Sequence, residues 1–267
     1  MKSKRLIALL IIFVIIVGVV ALNSTIFALQ TVELNWLTTR VELKGENTDS
    51  LLKNVDMPLG ESVFFLNKNK IMSACEKNNA YLQIVSIETV FPNKIVMHVA
   101  ERRQLYSIKI SDSSYAIIDK NLKVMNLISS DELFLVDETI RPVIVSVTGF
   151  TVVEDDIAVG EKISLGDASE MLKSLTISFL EAKYNEQTMR GFINTININL
   201  NNKDIIIITR YGLKICIKDS DSMLTEKVVT AIAAHADQHS KHITIGKIEV
   251  FLSELDGKIH AVHTFDS

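Results

Sequence analysis

Residues 81–103, YLQIVSIETVFPNKIVMHVAERR, carry two alternating runs on either side of a short turn signal. In the first run Val85 and Ile87 alternate with Ser86 and Glu88; in the second Ile95, Met97 and Val99 alternate with Lys94, His98 and Ala100. A period of two turns one face of each run toward a core and leaves the other in solvent, which predicts two half-buried strands. Between them, Pro92 presets φ for the first central position of a turn and Asn93 tolerates the next. The pattern predicts a β-hairpin, and its apolar face requires a cover.

The cover is written just upstream. Asn67 can cap a helix over residues 68–78, with Leu66 before the cap and Ile71 after it forming a hydrophobic staple. Further back, residues 39–44 (TRVELK) alternate as a strand ending at Gly45. Thr48 can then cap a short helix whose Leu51, Leu52 and Val55 share a face before Pro58 stops it. The predicted order is β-α-α-β-β.

This arrangement resembles the POTRA domain of the FtsQ/DivIB bacterial cell-division proteins. The residues that carry the resemblance are Gly45, Gly60 with Phe64, Phe91-Pro92-Asn93 at the hairpin turn, and Val99-Ala100-Glu101-Arg102 at its end. The family often has a proline soon after the Glu-Arg pair, where this chain reads Arg103-Gln104-Leu105. Tyr115-Ala116-Ile117-Ile118-Asp119 is similar to the opening hairpin of the family's second, β domain, with Asn121 where glycine is common.

Composition limits the remainder. Residues 6–22 (LIALLIIFVIIVGVVAL) hold no charge and follow Lys2, Lys4 and Arg5. At about 1.5 Å rise per residue such a helix covers most of a hydrocarbon core of roughly 30 Å, and the positive-inside rule puts the amino terminus in the cytoplasm. The run is longer than the apolar part of a cleaved signal peptide, and no A-x-A site follows closely, so an uncleaved anchor is expected. The net charge of −4, from 28 basic and 32 acidic residues, provides no basic field for nucleic acid.

Beyond the hairpin, residues 106–110, 115–118 and 122–125 read as short strands, and residues 129–141 as a polar loop before a strand at 142–147. Asp167 and Glu170 open a helix with Met171, Leu172, Leu175 and Phe179 on one face. A three-strand meander over residues 196–200, 204–209 and 213–217 follows, then a helix over 223–238 with Leu224, Val228, Ala231 and Ile232 inward, and a last strand at 246–252. The expected fold class is α+β: a single transmembrane helix, a β-α-α-β-β POTRA domain, and a mostly antiparallel β domain with two covering helices. The expected divisions are a cytoplasmic tail at 1–5, the span at 6–28, the POTRA domain at 29–104, the β domain at 105–253 and a tail at 254–267.

His235 and His239 are four apart, as zinc ligands sometimes are, but no H-E-x-x-H glutamate accompanies them and His235 continues the apolar stripe of its helix. His260 and His263 are expected in solvent. Asp137-Glu138 and Asp155-Asp156 sit in polar connecting stretches, Cys75 and Cys216 read as separate core side chains, and neither a G-x-S-x-G elbow nor a glycine-rich phosphate loop occurs. No catalytic residue, cofactor, metal, disulfide or small-molecule substrate is expected.

Two functional readings follow: a non-enzymatic anchored scaffold, or a membrane-anchored envelope enzyme with an unrecognised active site. The resemblance implies the scaffold, located at the division septum, with its two modules outside the cell membrane and partners like the bitopic proteins FtsL and FtsB/DivIC. It also implies a partner site in the carboxy-terminal part of the β domain, here Lys247, Ile248, Glu249, Val250, Phe251, Leu252 and Ser253. This last strand is expected at a sheet edge, where unpaired backbone groups can accept a strand from another protein. The alternative is that residues 260–267 fold back and cover it.

Overall fold

The computed structural model describes residues 11–14, 17–18, 25–134, 144–152 and 157–265. The chain divides between Arg102 and Arg103 into two compact units. The predicted span at residues 6–28 lies mostly outside the described residues, and among those described no helix is long and apolar enough to cross a membrane.

The first unit contains β1 (Thr31–Trp36), α1 (Thr48–Leu52), α2 (Lys68–Asn78), β2 (Leu82–Val90) and β3 (Lys94–Glu101). Its sheet has the order β1-β3-β2, with β3 parallel to β1 and antiparallel to β2. Ile95, Met97 and Val99 of β3 are fully buried against Leu82, Ile84 and Ile87 of β2 and against Ile71 and Cys75 of α2. Asn67 caps α2 by accepting the Lys70 N–H at 3.1 Å, as the sequence predicts.

Three local expectations are corrected. Val85 faces solvent, because a register shift between Ile84 and Ser86 inserts one residue into β2 and hands the inward position to Ile84. The Phe91–Pro92 peptide at the hairpin turn is cis. The cap of α1 is Asn47 rather than Thr48: its side chain accepts the Ser50 N–H at 2.8 Å while Ser50 Oγ accepts the Asn47 N–H at 3.0 Å.

The third correction concerns the first strand. Residues 39–44 form no strand; the strand beside β3 is β1, nine residues upstream when the two Val-Glu-Leu triplets, Val32–Leu34 and Val41–Leu43, are aligned. The Glu101 carboxylate decides this, accepting the Val41 N–H and the Leu43 N–H at 2.7 Å each. Those amides are thereby satisfied outside the sheet ladder. The neighbouring Arg102 pairs with Glu76 at 2.7 Å, and Glu76 also accepts the Ile84 N–H, so the Glu-Arg pair at the end of β3 ties both a loop and α2 to the sheet.

The second unit builds a mixed sheet from β4 (Tyr106–Lys109), β5 (Ser114–Ile118), β6 (Val124–Ser129), β7 (Val145–Thr148), β8 (Ile193–Asn199), β9 (Asp204–Thr209), β10 (Lys214–Ile217), β11 (Lys247–Leu252) and β12 (Ile259–Thr264). The order is β12-β11-β10-β9-β8-β7-β4-β5-β6, with parallel joins at β10–β11, β7–β8 and β4–β7. Helices α3 (Ser130–Phe134), α4 (Ala168–Glu181), α5 (Glu186–Phe192) and α6 (Leu224–Ser240) complete it. Leu172, Leu175 and Phe179 of α4 and Val228 and Ala231 of α6 join the core made by Ile196, Ile205, Ile207, Ile215, Ile217, Ile248 and Val250.

Here too the structure amends the reading. The β8-β9-β10 meander is present, but α5, capped by Asn185 accepting the Thr188 N–H at 2.9 Å, was not foreseen. Asp167 precedes α4 without a capping hydrogen bond; Ser169 Oγ instead accepts the Leu165 N–H at 2.9 Å. The expected tail is a strand, β12.

Met97 is fully buried and Glu88 is exposed. Met97→Ala is expected to destabilise the first unit by about 2–5 kcal/mol, as large-to-small core changes do, and Glu88→Ala to have little effect in chemical denaturation. Glu101→Ala leaves two amides without their acceptor, at a cost of about 1–3 kcal/mol for a group left unsatisfied. Hydrogen exchange at Val41 and Leu43 should accelerate in that variant, and unchanged exchange there would refute the role given to the carboxylate.

Candidate functional site

The residues singled out for partner binding form β11 and the residue after it. Ile248 and Val250 are buried and point into the core, whereas Lys247 and Glu249 pair with each other on the opposite face. Phe251 stacks on His260 with ring centroids 6.1 Å apart.

β11 is an inner strand, contrary to expectation. On one side it runs parallel to β10, where the Lys218 N–H donates to the Val250 carbonyl at 2.9 Å; on the other it is antiparallel to β12 through the register Lys247↔Thr264 to Leu252↔Ile259. The turn between β11 and β12 contains Asp256-Gly257, with Gly257 at φ +66°. Asp-Gly between alternating runs is a strong hairpin signal, and Ile259, Ala261 and His263 alternate with His260, Val262 and Thr264. Residues 259–264 thus fold back onto β11, the alternative stated for the tail.

Among the described residues the sheet ends at β12 on this side and at β6 on the other, where Val124 exchanges backbone hydrogen bonds with Gly160 and Glu161. The Ser253 N–H donates to the Lys258 carbonyl at 2.8 Å. In an antiparallel ladder hydrogen-bonded pairs recur every second residue, so the N–H and C=O of His260, Val262 and Thr264 face β11. Those of Ile259, Ala261 and His263 face outward. The edge thus offers three regularly spaced residues for a further strand.

Gly246 makes the approach to this hairpin possible. Its φ is +113°, and a Cβ there would lie 2.7 Å from the Thr264 carbonyl oxygen and 2.8 Å from His263 Nε2. A side chain would push β12 off β11 at its last pair. His263 itself is not a free solvent group, because it packs edge-on against Phe265 at 4.7 Å; His260 is partly exposed and lies 3.0 Å from an Asp256 carboxylate oxygen.

The other chemistry-bearing residues disperse. Burial raises the Cys75 thiol to about 11, and burial likewise raises Cys216, which makes both poor nucleophiles near neutral pH. Asp137-Glu138 and Asp155-Asp156 lie outside the described residues. Among the described residues no three histidine, cysteine, aspartate or glutamate side chains converge as a metal site.

His235 is buried, its ring edge-on to Phe192 at 4.8 Å and stacked on His239 at 6.1 Å. Burial first, and the neighbouring His239 second, hold its imidazole below the usual histidine range. A folded-state pKa below the unfolded value near about 6.5 means that the unfolded chain takes up a proton that the fold refuses. Stability should then fall as pH drops below that value and level off once the folded group titrates. His235→Phe should flatten this dependence in urea melts between about pH 7.5 and about pH 5. An identical slope in the variant would exclude His235 as its source.

No family model matches the chain. The cell division protein DivIB of Clostridium tetani (strain Massachusetts / E88) is 36% identical over 88 residues, which cover 30% of this chain and 31% of that protein. DivIB of Clostridium acetobutylicum (strain ATCC 824) is 33% identical over 93 residues, covering 34% of this chain and 36% of that protein. The aligned chain spans about a third of the length of these curated relatives.

Proposed function

We propose that this chain, which belongs to the FtsQ/DivIB family of bacterial cell-division proteins, acts as a membrane-anchored, non-enzymatic scaffold of the division machinery. In this reading the apolar run 6–22 is a single span with the amino terminus cytoplasmic, shorter than the expected 6–28 because the Phe27 carbonyl and Ala28 already pair with Val63 and Ser62 of the first unit; the first unit is a POTRA domain, and both units stand outside the membrane at the septum. The uncharged run behind three basic residues supports the anchor. The β-α-α-β-β order of the first unit supports the POTRA assignment.

The observation that carries the scaffold reading is the hairpin β11–β12, whose outer edge has no strand beside it among the described residues. Backbone donors and acceptors on an open edge bind another extended segment with little demand on its sequence, and side chains on the two faces add selectivity. The partners proposed are FtsL and FtsB/DivIC-like bitopic proteins. The site shifts outward from Lys247–Ser253, whose strand supports the edge, to β12, where Val262 is exposed.

The outward register selects the test. Val250→Pro would weaken the join to β10, since it removes the N–H on the side where the Val250 carbonyl accepts from Lys218. Ala261→Pro removes an outward N–H while sparing the bonds to β11. A folded Ala261→Pro protein is expected to lose co-purification of FtsL and FtsB/DivIC-like partners and to leave depleted cells filamentous. Retained partners in that protein would exclude β12 as the docking edge.

A further inference from the structure

The first unit gathers exposed aromatic side chains around Phe27, which is itself partly buried against the core. Phe27, Phe64 and Phe91 form a cluster with ring centroids 5.0 Å (Phe27–Phe64), 5.1 Å (Phe64–Phe91) and 6.3 Å (Phe27–Phe91) apart. Phe64 nevertheless remains 54% exposed, Phe91 59% and the adjacent Phe65 80%, and Ile26 is exposed beside Phe27. Contiguous apolar exposure of this kind marks a surface that is covered in use.

Backbone hydrogen bonds hold the three contributing segments together. The Val63 N–H donates to the Phe27 carbonyl at 2.8 Å and the Leu29 N–H to the Glu61 carbonyl at 2.7 Å, while the Gln30 N–H donates to the Asn93 carbonyl at 2.8 Å. Asn93 Nδ2 also donates to Gln30 Oε1 at 3.0 Å. The patch is thus a fixed feature of one end of the β1-β3-β2 sheet, at the hairpin turn, and its rings do not depend on a mobile loop for their position.

Chain length identifies what covers it. Only four residues separate Leu22, the end of the apolar run, from Phe27. At a maximum of about 3.6 Å per residue, Phe27 lies within about 18 Å of the end of that run. The other two rings are within contact distance of Phe27 and share the constraint. If the run ends at the hydrocarbon boundary, the whole patch is held within reach of the headgroup layer before any partner arrives. Phenylalanine and leucine on an exposed face sink roughly 5–10 Å into the boundary between headgroups and acyl chains.

Resting on the anchor reading above, we propose that Phe64, Phe65 and Phe91 insert into the lipid interface, so that the first unit sits on the bilayer with its hairpin turn downward. The anchor and the patch then grip the membrane at two points. β1 leads away from the membrane: Thr31 pairs with Lys94 beside the turn, and Trp36 pairs with Val99 five residues further along. At about 3.4 Å per residue this carries Trp36 some 17 Å from the patch.

The single native tryptophan makes this measurable. The chain is reconstituted in phosphatidylcholine–phosphatidylglycerol bilayers in two preparations, with acyl chains brominated near the glycerol end to report position 65 and near the chain terminus to report position 14. Three forms are compared: the unsubstituted chain, which reports Trp36, and Phe65→Trp and Val14→Trp, each in a Trp36→Phe background. Phe65 is so exposed that tryptophan there meets no packing constraint. The expected result is quenching of at least about twofold for Val14→Trp and Phe65→Trp, as for groups at acyl-chain depth, with Trp36 unaffected. Quenching at position 14 without quenching at position 65 overturns the proposal, leaves the anchor standing and assigns the patch to a protein partner. Quenching at neither position overturns the anchor reading and the proposal with it. Equal quenching at positions 36 and 65 also overturns it, because the unit would then not be seated by this end.

Discussion

A strand edge is a row of backbone donors and acceptors that must be paired, solvated or covered, and both units of this chain are arranged by that obligation. In the first unit β3 is the buried strand, and it is flanked by β2 from its own hairpin and by β1 from far upstream. In the second unit the crossover through α6 places β11 beside β10 and leaves its far side open, and β12 turns back to fill it. Each strand added satisfies one edge and creates the next. The series ends at β12 on this side, which is why this strand, rather than the apolar and better-buried β11, carries the outward-facing backbone groups there.

Charged side chains complete the pairing where strands stop. Glu101 accepts the two loop amides that no ladder reaches, and Arg102 with Glu76 ties α2 to β2. In the second unit Lys227 is fully buried on α6, and its ammonium donates to the Lys218 carbonyl at 3.0 Å, the Asp219 carbonyl at 2.6 Å and Ser222 Oγ at 3.1 Å. Burial holds its pKa below the usual lysine value, with Asp219 and Asp204 opposing. Asp204 meanwhile takes Lys218 at 2.6 Å. The loop between β10 and α6 is thereby secured by ionic hydrogen bonds around one cation, and leaving such acceptors unpaired costs more than the bonds themselves contribute.

The scaffold role proposed above requires contact alone. The protein's thiols are buried and hard to ionise, and its most perturbed histidine stacks among rings. What the two units offer outward is a strand edge in one and an aromatic patch in the other. The first is suited to an extended peptide segment and the second to lipid, two recognition modes that require no reactive group.

Period-two alternation determined the β2–β3 hairpin, and helical spacing with the Asn67 cap determined α2, because both signals are local and the covering face is next in sequence. The same local patterns failed wherever two segments competed for one place. Val-Glu-Leu occurs at residues 32–34 and again at 41–43, equally fit for a strand, and only the carboxylate of Glu101, about sixty residues away, withdraws the second copy from the sheet. Val85 and Ile84 likewise look interchangeable until β3 imposes the shift that turns Val85 outward. The Asp-Gly turn at residues 256–257 made β12 readable, but whether β11 or β12 would be the edge depended on how many strands the sheet acquired. Edge position is a property of the assembled ladder: it is set by which backbone groups are left over after all others have paired, and no single stretch of sequence contains that information.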